Sequence, residues 1–256
     1  MNRETTQHSL QARRNIIHNE GGAFFECDWV RFVLIHYEVN VKLLQNTVPF
    51  ELDLFDGKAY VSCVAFTSDN FNFAQKGLMQ RLVMRPVRNH RYFNVRTYVN
   101  VGDQKGIYFL KEWISNKLCS IIGAWMYGLP CAHGRLNYSH QWEAPSLSGS
   151  LSGGHDEGTY RYRLCKNSGN ELQGIEPGTL EEFLFERYVA FVEHKGTKKY
   201  FRIWHEPWRQ ADLDIEYLDD QLLPTLGPWG ENPKFIKAHY SPGVFGVWMG
   251  QSLKLG

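Results

Sequence analysis

A chain of 256 residues with 28 Lys+Arg against 27 Asp+Glu carries a formal charge of +1, so no net field draws it to nucleic acid or to an anionic membrane surface. A single domain of this length buries roughly 70–75% of the surface its unfolded chain exposes, enough for a large core without metals or disulfides. Cys27, Cys63, Cys119, Cys131 and Cys165 are odd in number and lie mostly in apolar runs, the pattern of reduced thiols in the cytoplasm.

Met1–Gly22 is polar and reads as a tail with a short helix around Leu10–Ile17. No secretory signal is expected from it, and no window of about 18 apolar residues predicts a membrane span. Residues 24–256 then read as one domain. Trp29–Tyr37 is a β-branched and aromatic strand run, and Asn40 offers an N-cap for the short helical pattern Val41–Leu44. Leu52–Phe55 and Lys58–Thr67 flank Asp56-Gly57, a strong hairpin signal. Asp69–His90 is irregular, with Arg81, Arg85 and Arg88 within it and Arg91 just beyond, and reads as a solvated loop or a lid.

Tyr92–Val101 alternates, with Phe93, Val95, Thr97, Val99 and Val101 on one face and Tyr92, Asn94, Arg96, Tyr98 and Asn100 on the other. Gly102–Gly106 turns the chain into a second strand, Ile107–Trp113. From Ile114 to Tyr127 the apolar residues Ile114, Leu118, Ile121, Ile122 and Trp125 recur at helical spacing, predicting that this face packs on the sheet. Gly128-Leu129-Pro130 ends that helix. Cys131–Trp142 reads as a strand, Ser146–Gly158 as a flexible Ser/Gly loop, and Thr159–Cys165 as a strand. Thr179-Leu180-Glu181-Glu182 fits a capping box opening a helix to about Arg187. Tyr188–Glu193 and Lys198–Glu206 pair around Gly196.

About eight or nine strands with two or three short helices, without regular β-α alternation, make the fold class α+β, mainly antiparallel β, barrel-like. Eight Trp, 13 Tyr and 16 Phe supply bulky walls for a pocket.

Seven segments in order resemble the YqjF-like proteins, a family of unknown function. They are Leu34–Tyr37 (LIHY), Pro49–Thr67, Asn94–Val99 (NVRTYV), Gly106–Trp113, Gly128–Arg135 (GLPCAHGR), Phe183–Tyr188 (FLFERY) and Arg202–Trp208 (RIWHEPW). The resemblance implies a fold similar to acetoacetate decarboxylase, a cone- or barrel-like sheet around a central cavity. In that enzyme a Pro-Lys-Lys run supplies a Schiff-base lysine whose pKa is lowered by its lysine neighbour. The stretch that matches here, Pro130-Cys131-Ala132-His133, has no lysine, so decarboxylation by that route is not expected. Lys111 is the nearest other amine in strand context.

The polar face Asn94, Arg96, Tyr98 must be wet, either by bulk water or as a lumen in which Arg96 grips a carboxylate. A solvated arginine or a structural ion pair is the plainer alternative. His133 and Arg135 share a strand face in the stretch matching the relative's catalytic run. With His36 and His205 they offer an acid/base beside an anion clamp, His133 being the candidate catalyst. A lone buried histidine is more often a satisfied core group than a catalyst, and that reading stands beside the chemical one for each. Glu186 is a candidate partner for a nearby arginine. Cys131-x-His133 lacks a second ligand pair, and no nucleotide-binding loop is present, so neither metal nor cofactor is expected. These residues suggest a small organic carboxylate as partner, handled by a lyase or isomerase, or held by a non-catalytic carrier or sensor; a barrel filled by its own side chains is the third reading. Tyr240–Met249 fits either a homo-oligomer contact or closure of the barrel within one chain.

Overall fold

The computed structural model describes residues 3–75, 77–153, 158–166, 169 and 171–256. The N-terminal segment is a longer helix than expected, α1 (Arg3–Asn19), and it docks on the domain. Trp204 Nε1 donates to Leu10 O at 3.1 Å, the Arg14 guanidinium lies 3.7 Å from the Trp204 ring centre, and Arg202 Nε donates to Glu20 at 2.7 Å. Cation–π stacking on a buried indole gives the polar helix an anchor that hydropathy does not reveal.

Strand β1 (Ala23–Val39) is followed by α2 (Val41–Gln45), capped by Asn40 Oδ1 accepting from Leu43 N at 3.0 Å. The Asp56-Gly57 turn has the positive φ values its sequence requires, 50° and 73°, but only the Phe55–Lys58 bridge closes it. The segment before it, β2 (Glu51–Leu52), pairs with β4 (His90–Val101) instead of β3 (Ala59–Phe73). Between β3 and β4 the segment expected to be irregular contains α3 (Leu78–Met84) and a 3-10 turn, Arg85–Val87; the Arg81 side chain lies outside the described residues. The expected hairpin of β4 with β5 (Gln104–Ile114) forms.

Helix α4 (Lys117–Tyr127) packs the opposite way from the expectation. Leu118, Ile121 and Trp125 are exposed, while Cys119 and Tyr127 are buried and Gly123 faces Cys131 Sγ. The stripe of Cys119, Gly123 and Tyr127 at four-residue spacing wins because its small members let the helix approach the sheet closely. Gly134 breaks the expected long strand into β6 (Cys131–His133), parallel to β5, and β7 (Arg135–Ser139).

The Ser/Gly segment is a strand, β8 (Ser146–Ser152), paired with β9 (Thr159–Lys166); residues 154–157 lie outside the described residues. Leu147 and Leu151 are buried, and a Cβ on Gly149 between them would meet the Tyr162 hydroxyl at 2.1 Å. The segment is therefore an alternating strand whose glycine makes room for a tyrosine. Next come β10 (Gln173–Gly174) and α5 (Leu180–Phe185), where Thr179 Oγ1 accepts from Glu182 N and Glu182 accepts from Gly178 N. β11 (Val189–His194) and β12 (Thr197–Trp204) form the expected hairpin, and β13 (Arg209–Asp219), β14 (Lys234–Gly250) and β15 (Leu253–Lys254) complete the chain.

Seven strands close a ring in the order β1, β3, β4, β5, β11, β12, β14 and back to β1. All neighbours in it are antiparallel except β5 with β11. Tyr240–Met249 thus lies in the strand that closes the ring within one chain. Through Ala211–Leu213, β14 also pairs with β13, which leads through β9 and β8 to β7. This arm covers the outside of the ring. Val33, Ile35, Tyr37, Val95 and Trp113 join Leu147, Tyr160 and Leu164 in the core between the layers, while Phe32, Phe66, Phe109, Phe185 and Trp208 belong to a second core inside the ring. The protein is mainly antiparallel β with few short helices, a barrel-like sheet. No helix among the described residues is long and apolar enough to cross a membrane.

Candidate functional site

Alternation along β4 sends Asn94, Arg96 and Tyr98 into the ring and Phe93, Val95 and Val99 outward. A bulge then decides what stands opposite. Arg96 pairs with Phe109 but Val95 pairs with Lys111, so β5 carries one extra residue. Ile107 and Phe109 point inward before the bulge, and after it Glu112 and Ile114 do, while Trp113 turns to the outer core. Bulges re-aim side chains in this way.

The cavity inside the ring measures about 60 Å³, roughly the liquid volume of two waters. Its walls include Trp29, Phe32, Phe66, Phe185 and Trp208, and its polar members are Asn94, Arg96, Glu112, Arg187 and His205. A void of about 30 Å³ adjoins it at Tyr92, Glu112, Leu129 and Met249.

Three buried polar atoms on the lining have no hydrogen-bond partner: Arg96 Nε, Asn94 Oδ1 and Trp208 Nε1. Orphaned groups of this kind cost about 1–3 kcal/mol each unless water or another polar partner meets them. Arg96 Nη2 donates to Leu184 O at 3.1 Å, and Arg96 makes no ion pair among the described residues. Burial, with Arg187 as a smaller contributor, lowers its guanidinium from the ordinary value. Arg187 is neutralised instead: its Nη1 lies 2.6 Å from Asp53 Oδ2, and its Nε donates to Phe183 O at 2.8 Å.

Glu112 is buried, and that burial pushes its carboxyl up from 4.5 to about 7, against the opposing hydrogen bond from Cys131. Cys131 Sγ donates to Glu112 Oε2 at 3.1 Å. Of the stretch Pro130–His133, Cys131 thus meets the cavity only through its hydrogen bond to Glu112. His133 and Arg135 are exposed and do not line the cavity; β6 ends at His133, β7 starts at Arg135 after Gly134, and both side chains fall on the outside. Among the described residues no lysine is on the lining, Lys111 included.

His205 lines the cavity and stacks on Tyr188 at 4.4 Å; its Nδ1 lies 2.8 Å from Glu206 O, and burial lowers its pKa. His36 and Tyr98 are fully buried behind the lining. His36 Nδ1 and the Tyr98 hydroxyl each lie 2.6 Å from Ser62 Oγ, and Tyr98 also donates to Leu184 O. Burial, then the charge of His239, holds His36 well below the ordinary histidine value. Glu186 serves the scaffold: its carboxylate accepts from Trp208 N at 3.0 Å and from the Tyr188 hydroxyl. Glu112, Arg187 and Trp208 are lining residues that strand patterning does not single out. Trp208 sits in the RIWHEPW block, which was the available signal.

Residues 26–245 match the family DUF2071, described as "Uncharacterized conserved protein". The chain belongs to the DUF2071 family. All seven segments that suggested YqjF-like proteins fall inside that match. "Uncharacterized protein YqjF" of Bacillus subtilis is 22% identical over 220 residues, covering 84% of this chain and 88% of that protein. Among solved structures, an acetoacetate decarboxylase-like enzyme from Sphingomonas wittichii RW1 is 15% identical with a TM-score of 0.63, covering 91% of this chain and 93% of that one. Acetoacetate decarboxylase from Legionella pneumophila is 13% identical with a TM-score of 0.61, covering 92% and 88%. The enduracididine biosynthesis enzyme MppR complexed with pyruvate is 12% identical with a TM-score of 0.62, covering 91% and 90%. This DUF2071 chain shares their fold.

Proposed function

We propose that the ring of this DUF2071 protein binds a small organic carboxylate, with Arg96 as the anion anchor and Glu112 as the group that gives or takes a proton. The observation that carries this reading is the convergence of three orphaned polar atoms, Arg96 Nε, Asn94 Oδ1 and Trp208 Nε1, on one void. Two of them donate and suit a carboxylate; the Asn94 oxygen suits a hydroxyl or enol on the same molecule. A carboxyl that titrates near neutrality works equally as acid and base. The void limits the ligand to a handful of non-hydrogen atoms, and the pyruvate complex of a same-fold neighbour supports that size. With no lysine on the lining among the described residues, the chemistry is proton transfer, as in an isomerase or lyase, without a covalent imine. Five unpaired cysteines support a cytoplasmic setting.

The smallness of the void also favours a second reading, in which the barrel is filled and the polar atoms meet ordered water. Thermal unfolding against small carboxylates and keto acids decides between them, because a ligand specific for the folded state raises Tm by mass action. Arg96→Ala is expected to lose about 1.5–3 kcal/mol of ligand binding, roughly 10- to 150-fold in Kd, while remaining folded. Glu112→Gln is expected to bind but not convert the same ligand. A ligand that binds without being changed by wild type identifies a carrier or sensor. A broad panel that stabilises nothing leaves the filled barrel.

A further inference from the structure

Away from the ring cavity, a cleft of about 350 Å³ opens where α5 meets the outer ends of β13 and β14. The strand register sets Asp212 of β13 directly opposite His239 of β14. Glu181, at the start of α5, reaches the same point. His239 Nε2 lies 3.2 Å from Asp212 Oδ1 and 3.8 Å from Glu181 Oε1, and the three potential ligand atoms all lie within 4.8 Å of one another. Ligands about 2.0–2.2 Å from one ion stand roughly 3–4.2 Å apart, so a common ion asks only for a small inward shift.

Two further observations point to an occupant. Gln210, two residues before Asp212 on the same strand face, is 3% exposed and lines the cleft, yet its Oε1 has no partner. His239 is fully buried, and its Nδ1 has no partner either; the ring lies 5.1 Å from that of His36, whose Nε2 is likewise unpartnered. In a metal site the non-ligating nitrogen of a histidine is a donor that needs an acceptor, and the neighbouring ring that could turn to supply one is that of His36.

We propose that Glu181, Asp212 and His239, with the Gln210 carbonyl as a fourth donor, form a binding site for a divalent transition-metal ion. Two carboxylates, an imidazole and an amide oxygen suit zinc or manganese better than calcium or magnesium, which prefer all-oxygen shells. Lys237 Nζ lies 2.6 Å from Glu181 Oε1 and 3.5 Å from Asp212 Oδ1, so its ammonium supplies the positive charge while the metal is away. Its side chain is 37% exposed, and its flexible stem lets the ammonium swing to water when an ion enters.

The test is equilibrium dialysis of the tag-free full chain against Zn²⁺ or Mn²⁺ with elemental analysis, followed by the visible spectrum of the Co²⁺ form. The expected result is one equivalent bound, lost in Asp212→Asn and in His239→Gln, kept in Glu176→Gln on the same cleft, and tightened about tenfold or more in Lys237→Met. Because His239→Gln removes a buried group that folding itself uses, Lys237→Met carries the decision: it leaves every ligand in place and removes only the competing charge. Less than stoichiometric binding in both wild type and Lys237→Met, or binding indifferent to Lys237→Met and Asp212→Asn, overturns the proposal.

Discussion

Glu112 binds a proton more tightly in the folded chain than in the unfolded one, and this has a thermodynamic signature independent of any ligand. Its carboxyl titrates near 7 when folded against 4.5 ordinarily, so between those values the folded state holds the extra proton and stability falls as pH rises. The deficit reaches roughly 3 kcal/mol above neutrality at about 1.36 kcal/mol per pKa unit. Glu112→Gln is expected to recover most of it at pH 8 and little at pH 4.5, read as the difference between urea unfolding curves of variant and wild type. His90 and His140 push the opposite way. Burial lowers each to about 4, so their contribution is present above about 6.5 and is lost as pH falls toward 4. The comparison with Glu112→Gln cancels that slope, which both proteins share. The sequence separated Asn94, Arg96 and Tyr98 from the apolar face of β4 by simple alternation, without telling lumen from outside. It could not show Glu112, because alternation continued from Ile107 and Phe109 sends Lys111 inward and Glu112 outward, and only the bulge reverses them. A bulge depends on pairing between two strands and leaves no mark in the spacing of one.

At the scale of elements, the misread segments share a cause. Ser146–Ser152 has the composition of a linker but the period of a strand, with Leu147 and Leu151 buried around Gly149. Composition reports average polarity, whereas a strand needs only every second side chain to be apolar or small. Gly149→Ala drives a methyl into the Tyr162 hydroxyl, which also lies 2.7 Å from His140 Nε2. That substitution is expected to cost about 1–3 kcal/mol as overpacking, seen as a lower urea midpoint with an unchanged slope; an unchanged midpoint would show that the tyrosine has room to retreat. Helix α4 teaches the converse. Its most apolar stripe faces outward because the closest approach to the sheet is decided by Cys119 and Gly123, and hydropathy ranks size poorly. Where local chemistry alone sets the structure, as in the Asn40 cap, the Thr179 cap and the hairpin around Gly196, the reading and the structure agree.

For the whole molecule, the ring depends on one strand. β14 pairs with β1 along most of its length, with β12 through Met249 and Trp248, and with β13 through Ala238–Tyr240. It therefore closes the lumen and holds the covering arm at once. Replacing Val244 and Val247, both buried inside the ring, by alanine is expected to cost several kcal/mol in sum through lost burial and cavity formation, and to loosen ring and arm in one cooperative transition. Unfolding of the arm ahead of the ring, followed by tyrosine and tryptophan fluorescence, would instead mark two independent layers.

The first long strand of the ring waits for nearly the last. While the chain is being made, β1 has left the ribosome long before Lys234–Gly250 is synthesised, and β3 can cover only one of its edges. The other edge, with Phe32, Leu34 and the aromatic wall around them, has no partner during that interval, which is the condition under which exposed strands find the wrong one. Closure then joins residues far apart in sequence and is slow for that reason. This architecture places the hazard in the time between the first strand and the last, with the finished fold no longer exposed to it.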